Sequence, residues 1–500
     1  MTVINPNSIS GITSITLPAG ADNVLTIHTN DGTERFRIDS SGNVKVGTAA
    51  TISPDGDLFV TGVCTATTLS GAASGLTGAL PAISGANLTN LTAGNLTGAL
   101  PAISGANLTG IAATDNVRTG ILDVAGIATF RDNVNVPNLN GGQLAGRRNI
   151  IINGAMMIAQ RGTSQTGVDA NGYATVDRFS ATQSGTDAYI EQHQVDVASG
   201  TTPYTNGFRK AFQVKNGNQT SGAGAADYIR IKTVLEGQDI ANSGWNYKST
   251  SSFVTLSFWV KSSVAQNFYG FIRSTDGTMQ QYPFSTGSLS ADTWTKVTKT
   301  IPGNSNLAFD NNTGGAFELW IHQYSGTNET ASDVAENAWA AYDGTAKMPD
   351  NTSTWYTTDD ATFELTGVQL EVGSQATPFE HRSVNEELAL CQRYYQVCVE
   401  GNNQFVCFGD FFVGSQCDGG VKLPVEMRTT PSLDVNTGSD YYIIYTNATQ
   451  SHIDGNFTIF KAHTRAVLWY ATPDASRTAG HANRWITASS SAKIAFDAEI

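Results

Sequence analysis

Between Val60 and Thr114 the chain carries no charged and no aromatic residue, although its flanks contain both. Within that stretch GALPAISGANLT occurs at Gly78–Thr89 and again at Gly98–Thr109, a repeat with a period of 20 residues, which is the length of a supersecondary unit rather than of a domain. Gly and Pro interrupt its apolar positions, and that argues against a long regular helix. With about one aliphatic side chain in four residues, a single copy cannot offset roughly 1–2 kcal/mol of backbone entropy per ordered residue. Two solutions remain: a flexible linker, or identical chains that wrap together so that each Leu or Ile meets its symmetry mates. Repeating aliphatic positions favour the second, a β shaft about a three-fold axis, with Leu80, Ile83, Leu88, Leu96, Leu100, Ile103 and Leu108 as axis candidates.

The rest of the composition fits an extended structural protein. Only 14% of the 500 residues are charged and 50 are Gly, a balance that suits a β-rich appendage better than a cytosolic enzyme. A net charge of −14 argues against binding nucleic acid and against unaided attraction to anionic lipid. The first twenty residues show no cationic and apolar leader pattern, and no window is apolar enough to span a bilayer, so membrane insertion is not expected. Cys64, Cys391, Cys398, Cys407 and Cys417 are odd in number and unevenly placed, which suits reduced thiols and synthesis in a reducing cytosol. Sequons such as Asn87-Leu88-Thr89 follow from the abundance of Asn and Thr and do not by themselves imply glycosylation.

Taken in order, residues 1–59 read as short strands and turns, with alternation over Val24–His28 and Arg35–Ile38 and turns at Asn30-Asp31-Gly32 and Ser41-Gly42-Asn43. The run from Glu34 to Thr48, ERFRIDSSGNVKVGT, resembles a phrase of bacteriophage tail-fibre proteins, as do Gly62–Thr68 and the LPAISGANLT repeats, notably in fibres of phages that infect cyanobacteria and other aquatic bacteria. In some phage proteins that phrase leads into a self-cleaving chaperone domain, but none follows here. After a neck ending near Gly146, Arg148–Gly154, Gln160–Ser164 and Tyr173–Phe179 resemble the start of a carbohydrate-binding-module-like domain of tail fibres, and Thr366–Arg382 resembles its end. Strand candidates between them are Phe208–Val214, Tyr228–Leu235, Phe253–Lys261, Asn267–Arg273, Trp294–Thr300, Phe317–Gln323 and Phe363–Glu371, which predict an antiparallel sandwich.

Ser383-Val384-Asn385-Glu386 fits a capping box, and the spacing of Leu388, Cys391, Tyr395 and Cys398 predicts a helix running to about Val397 with one apolar stripe. Strand patterns return at Gln404–Val413, Val421–Met427, Tyr441–Tyr445, Phe457–His463, Ala466–Ala471 and Lys493–Ile500, and Leu423–Pro431 with Phe496–Ile500 also resembles the terminal domain of such fibres.

Motifs for catalysis are missing from the sequence. No Gly-x-Ser-x-Gly elbow joins a strand to a helix, the seven His residues have no metal-ligand spacing, and no Gly-rich loop is placed to hold phosphate. A pair of hydrolytic carboxylates cannot be selected among 43 Asp and Glu. For sugar binding, aromatic faces stack on apolar ring faces. Trp245, Tyr247, Trp339, Tyr342, Trp355 and Tyr356 are the glycan-binding candidates because they fall in polar, turn-rich segments, although packing as loop anchors is the competing role. Trp259, Trp294 and Trp320 fall inside strand patterns and are expected in the core, as are Phe411, Phe412, Tyr441, Tyr442, Trp469, Tyr470 and Trp485 of the tip. Asp310-Asn311-Asn312 and Asp359-Asp360 could contribute oxygen ligands to Ca²⁺, with solvated turns as the default, and no other cofactor or metal is expected.

The expectation is therefore an all-β, elongated homotrimeric fibre: a virion-attachment segment over residues 1–59, a repetitive shaft and neck over 60–146, a jelly-roll β-sandwich over 147–382, a linking helix over 383–400 and a β-sandwich tip over 401–500. What the resemblance implies is a virion protein, assembled in the host cytoplasm, whose N-terminus meets tail or baseplate proteins and which acts at the bacterial surface by multivalent binding of polysaccharide or lipopolysaccharide. A capsid or neck appendage without receptor binding and a tail-spike depolymerase are the alternatives.

Overall fold

The computed structural model describes residues 24–48, 50–65, 147–168, 172–447 and 449–500. The repeat, and with it every three-fold axis candidate, lies outside the described residues. The chain divides into two compact units, residues 1–123 and 124–500.

In the first unit five short strands, Leu25–His28, Glu34–Ile38, Val44–Val46, Ala50–Ile52 and Leu58–Val60, form an antiparallel meander in chain order. Its register sorts the side chains by polarity. Leu25, Ile38, Val44, Ile52 and Leu58 form one cross-strand row and Ile27, Phe36, Val46, Ala50 and Val60 the next, so one face is wholly apolar. Arg37, Lys45, Thr51 and Phe59 lie on the other. No described residue of this unit is buried; Ile27 is 54% and Leu58 58% exposed.

The second unit begins with a jelly-roll-like sandwich of two six-stranded antiparallel sheets. One sheet runs in the order Thr295–Pro302, Phe253–Ser262, Thr362–Val372, Lys210–Lys215, Ile190–Asp196, Ser164–Val168. The other runs Ala340–Ala341, Gln280–Ser288, Asn267–Ser274, Gly315–Ser325, Tyr228–Glu236, Ser180–Ser184. Alternation sends Val254, Leu256, Phe258 and Val260 from the first and Phe317, Leu319 and Ile321 from the second into a shared core. Every strand candidate of this region forms within a few residues of its expected bounds. Ser164–Val168, Ser180–Ser184, Ile190–Asp196 and Gln280–Ser288, rich in Gln, Ser and Thr, lack an apolar alternation and gave no signal.

The capping box forms: the Ser383 hydroxyl accepts from the Glu386 amide, and the Glu386 carboxylate accepts from the Ser383 amide at 2.9 Å. The helix is shorter than predicted, Val384–Gln392, and Tyr395–Glu400 is a strand. Tyr395 and Cys398 therefore leave the helical stripe, because a run of Tyr and Val favours a strand and the facing Lys493–Asp497 supplies a hydrogen-bonding partner. Leu388 and Cys391 do pack together, with Ile152, Ile158 and Tyr394. All five cysteines are free thiols.

The tip pairs a three-stranded sheet with a seven-stranded one over a core of Trp469, Trp485, Tyr442 and Phe411. Of the aromatics expected inside, Phe412 is instead 70% exposed. Charged side chains weld tip to sandwich. Arg178 stacks on Tyr394 with its carbon 3.4 Å from the ring centroid, pairs with Glu499 and donates to the Val234 carbonyl. Arg161 pairs with Asp497 at 2.9 Å, and Arg393 with Glu236 at 2.6 Å. Burial pushes Asp177, beside this cluster, up to about 6 against the opposing pull of Gln160 and Arg161.

Candidate carbohydrate-binding groove

The predicted glycan-binding aromatics fall in three separate places. Trp355 and Tyr356 are fully buried: the Trp355 indole donates to the Thr362 carbonyl at 3.1 Å and the Tyr356 hydroxyl to Asp227 at 3.0 Å. Trp245 is also buried, edge-on to Phe317, with Tyr247 half-buried against Phe309. These loops fold back and plug the sandwich, so Trp245, Trp355 and Tyr356 have no face left for a sugar. Trp339 and Tyr342 are half-buried near the edge of the second sheet; the Trp339 indole donates to the Pro302 carbonyl at 2.7 Å and its ring packs on Tyr282, while Tyr342 lies under Arg273.

Of the tryptophans expected inside, Trp320 is buried, in a small cluster with Phe271 and Met348, whereas Trp259 and Trp294 are only half-buried, outside the main core. Trp259 is out of phase with Val254, Leu256, Phe258 and Val260, so it emerges on the outer face of the first sheet, opposite Lys296 on one neighbouring strand and Thr366 on the other. There it packs with Phe208, Tyr204, Trp294 and Phe379 in an aromatic layer separate from the main core. Phe208, Phe379 and His381 form a triangle with ring centroids 4.9–5.1 Å apart. Between Trp259 and this triangle a groove of 120 Å³ opens, floored by Ser257 and Gly367 and rimmed by the exposed Asn206 and Lys296; Thr377 lines it from below, buried, with its hydroxyl bonded to Glu371 and Arg148. His381 is tied to the Asn206 carbonyl at 2.9 Å.

Trp320 is out of phase as well, but its face is taken. It stacks on Phe271 at 5.8 Å, its indole donates to Glu318, Arg230 lies over it at 4.6 Å, and it is 8% exposed. The first sheet therefore carries one accessible aromatic surface of the sandwich, and Trp339 and Tyr342 leave a second at the edge of the other sheet.

Lys261, beside Trp294, pairs with Glu364 at 2.9 Å, whereas Lys296 is exposed and has no ion pair among the described residues. The groove lining contains no carboxylate, so the paired acids of a glycosidase are not available there. Ser164, His193 and Glu191 do stand in line, with Ser164 Oγ 3.0 Å from His193 Nδ1 and His193 Nε2 2.9 Å from Glu191 Oε2. These groups decorate strands at the open edge of the first sheet, outside the groove: the Ser164–His193 contact crosses between paired strands and the His193–Glu191 contact runs along one strand. Among the described residues no cluster of His, Cys, Asp and Glu is arranged to hold a metal.

No protein-family model and no curated protein matches the chain. Among solved structures it is similar to the enzymatically active domain of tailspike protein 4 of bacteriophage CBA120, at 10% identity and a TM-score of 0.23, over 45% of this chain and 21% of that one. It is also similar to a family 11 carbohydrate-binding module from Clostridium thermocellum, at 13% identity and a TM-score of 0.19, over 44% of this chain and 98% of the module. A third is a Clostridium thermocellum xylanase 10B fragment with a CBM22 module, at 11% identity and a TM-score of 0.20, over 45% and 30% of the two chains. Such values carry no ligand or reaction over to this chain.

Proposed function

We propose that the chain is a homotrimeric phage tail fibre that attaches the virion to a bacterial surface by non-covalent, multivalent binding of glycan. The observation that carries glycan binding is the outward-facing Trp259 beside a groove rimmed by Asn206 and Lys296, an apolar plate flanked by hydrogen-bonding groups and without a carboxylate pair. The phage setting rests on the resemblance of Glu34–Thr48 and of the repeats to tail-fibre sequences. The three-chain reading is supported by the bare apolar face of the N-terminal meander, since a single-layer sheet without buried residues needs a second layer and like chains, drawn together by the repeat, provide it. In this reading residues 1–59 meet tail or baseplate proteins through surfaces other than that face, and the protein is assembled in the host cytoplasm. Three grooves held at millimolar effective concentration turn weak sugar contacts into durable attachment.

The test is binding of the purified full-length protein to host cells and to their extracted polysaccharide, with Trp259→Ala beside it. Specific binding that weakens in the variant is expected. Failure of the parent protein to bind either would remove the adsorption reading, and release of reducing sugar would replace it with a depolymerase.

A further inference from the structure

A second aromatic slot lies on the tip, far in sequence from the Trp259 groove. On the outer face of its seven-stranded sheet, Phe408 is 74% exposed, Phe460 57% and Leu468 48%. In the cross-strand row, Phe408 stands one position from Gly420 (Gly409 pairs with Gly419), and Gly420 pairs with Leu468. Because Gly420 contributes no side chain, a gap one residue wide opens between Phe408 and Leu468, with Phe460 beyond, in a cavity of 270 Å³. Two positions along, on the same face, Asp410 and Asp418 face each other directly across the two strands.

Neither feature helps the tip to fold. Large exposed rings leave apolar area in water, and like charges directly opposite on paired strands are destabilising. No cation relieves the carboxylates: Asp418 accepts from Gln416 Nε2 at 2.9 Å, and neither Asp410 nor Asp418 has an ion pair among the described residues. A ligand with an apolar face and a donor-rich edge satisfies both at once. The cavity has room for one sugar ring rather than for a larger ligand, and two carboxylates accept hydrogen bonds from hydroxyl or ammonium groups while repelling an anion.

We propose that this slot is a glycan subsite that holds one neutral or amino-substituted pyranose, with its ring between Phe408 and Phe460 and its hydroxyl or amino edge on Asp410 and Asp418. It does not depend on the groove of the sandwich, and its test is made on the full-length Trp259→Ala protein, in which the groove is weakened and the further loss in Gly420→Val reads the slot alone. Saturation-transfer NMR with the methyl pyranosides of glucose, galactose and mannose, with glucosamine and with glucuronate reads ring contact directly. Transfer to at least one neutral or amino sugar and none to glucuronate is expected. In Gly420→Val, where a Cβ already comes 2.2 Å from Leu468 Cδ2 and the slot fills, transfer should fall at least fivefold. Asp418→Asn should lose transfer while raising the melting temperature, a combination that separates a ligand contact from a damaged fold. No transfer to any neutral or amino sugar, equal transfer to glucuronate, or transfer unchanged in Gly420→Val overturns the proposal. So does a Phe408→Asp variant that no longer assembles, because the face would then be an interface between copies of the chain.

Discussion

Gly367 lies directly beneath the Phe208 ring with a φ of +64°, and a Cβ at that position would come within 2.7 Å of it. The glycine lets the Phe208 ring pack close against the sheet and so sets the depth of the groove. Gly367→Ala is expected to cost about 2 kcal/mol, from the left-handed backbone and the displaced ring together. Denaturant unfolding measures that loss, and weaker polysaccharide binding should accompany it.

Trp259 and Trp355 offer opposite outcomes for the same substitution. Trp259→Ala removes a half-buried outer plate and should weaken polysaccharide binding about tenfold, worth ~1.4 kcal/mol, with little change in melting temperature. Trp355→Ala empties a fully buried site and should cost about 3–5 kcal/mol of stability. Parallel binding and melting curves distinguish them, and equal melting curves would contradict the placement of Trp355.

The buried Asp177 gives stability a pH dependence of defined sign. In the unfolded chain its carboxyl loses a proton near 4, but in the fold it does so only near 6. Between those values the folded chain holds a proton that the unfolded chain has released, so this group's contribution is full below about 4 and is lost as the pH rises through about 6. Asp177→Asn should flatten the fall in melting temperature across that interval, and an unchanged slope would show that another group is responsible.

The apolar face of the meander makes assembly testable within the described residues. Ile27→Asp with Leu58→Asp places two charges on that face, and sedimentation equilibrium at micromolar concentration should show loss of the proposed trimer. A meander that takes no part in assembly would tolerate both changes.

Much of the sandwich could be read from the sequence because its inner strands alternate strictly, as Phe253–Ser262 does. The same alternation held the position of the groove: Trp259 is out of phase with Phe258 and Val260 and must face outward when they face in. Treating any tryptophan within a strand pattern as core discarded that phase information. For the loop residues Trp245 and Trp355 the choice between sugar contact and loop anchor was open for a different reason. Whether Trp245 or Trp355 folds back over an open sandwich end depends on contacts with Phe317 or Gln266, distant in the chain and without a local signature. The early end of the helix was equally non-local, since Tyr395–Glu400 is a strand by virtue of pairing with Lys493–Asp497.

The ionic weld of Arg178 to Glu499 and of Arg393 to Glu236 has a mechanical consequence. Breaking a buried pair by removing one partner costs about 3–5 kcal/mol, so sandwich and tip resist swivelling against one another. A pull applied at the tip is then borne by the sandwich as well, and the spacing between the Trp259 groove and the Phe408 slot acts as a ruler. With both sites binding as proposed, a polysaccharide whose repeat matches that spacing is gripped at both points by one chain, whereas one that does not is held at a single point.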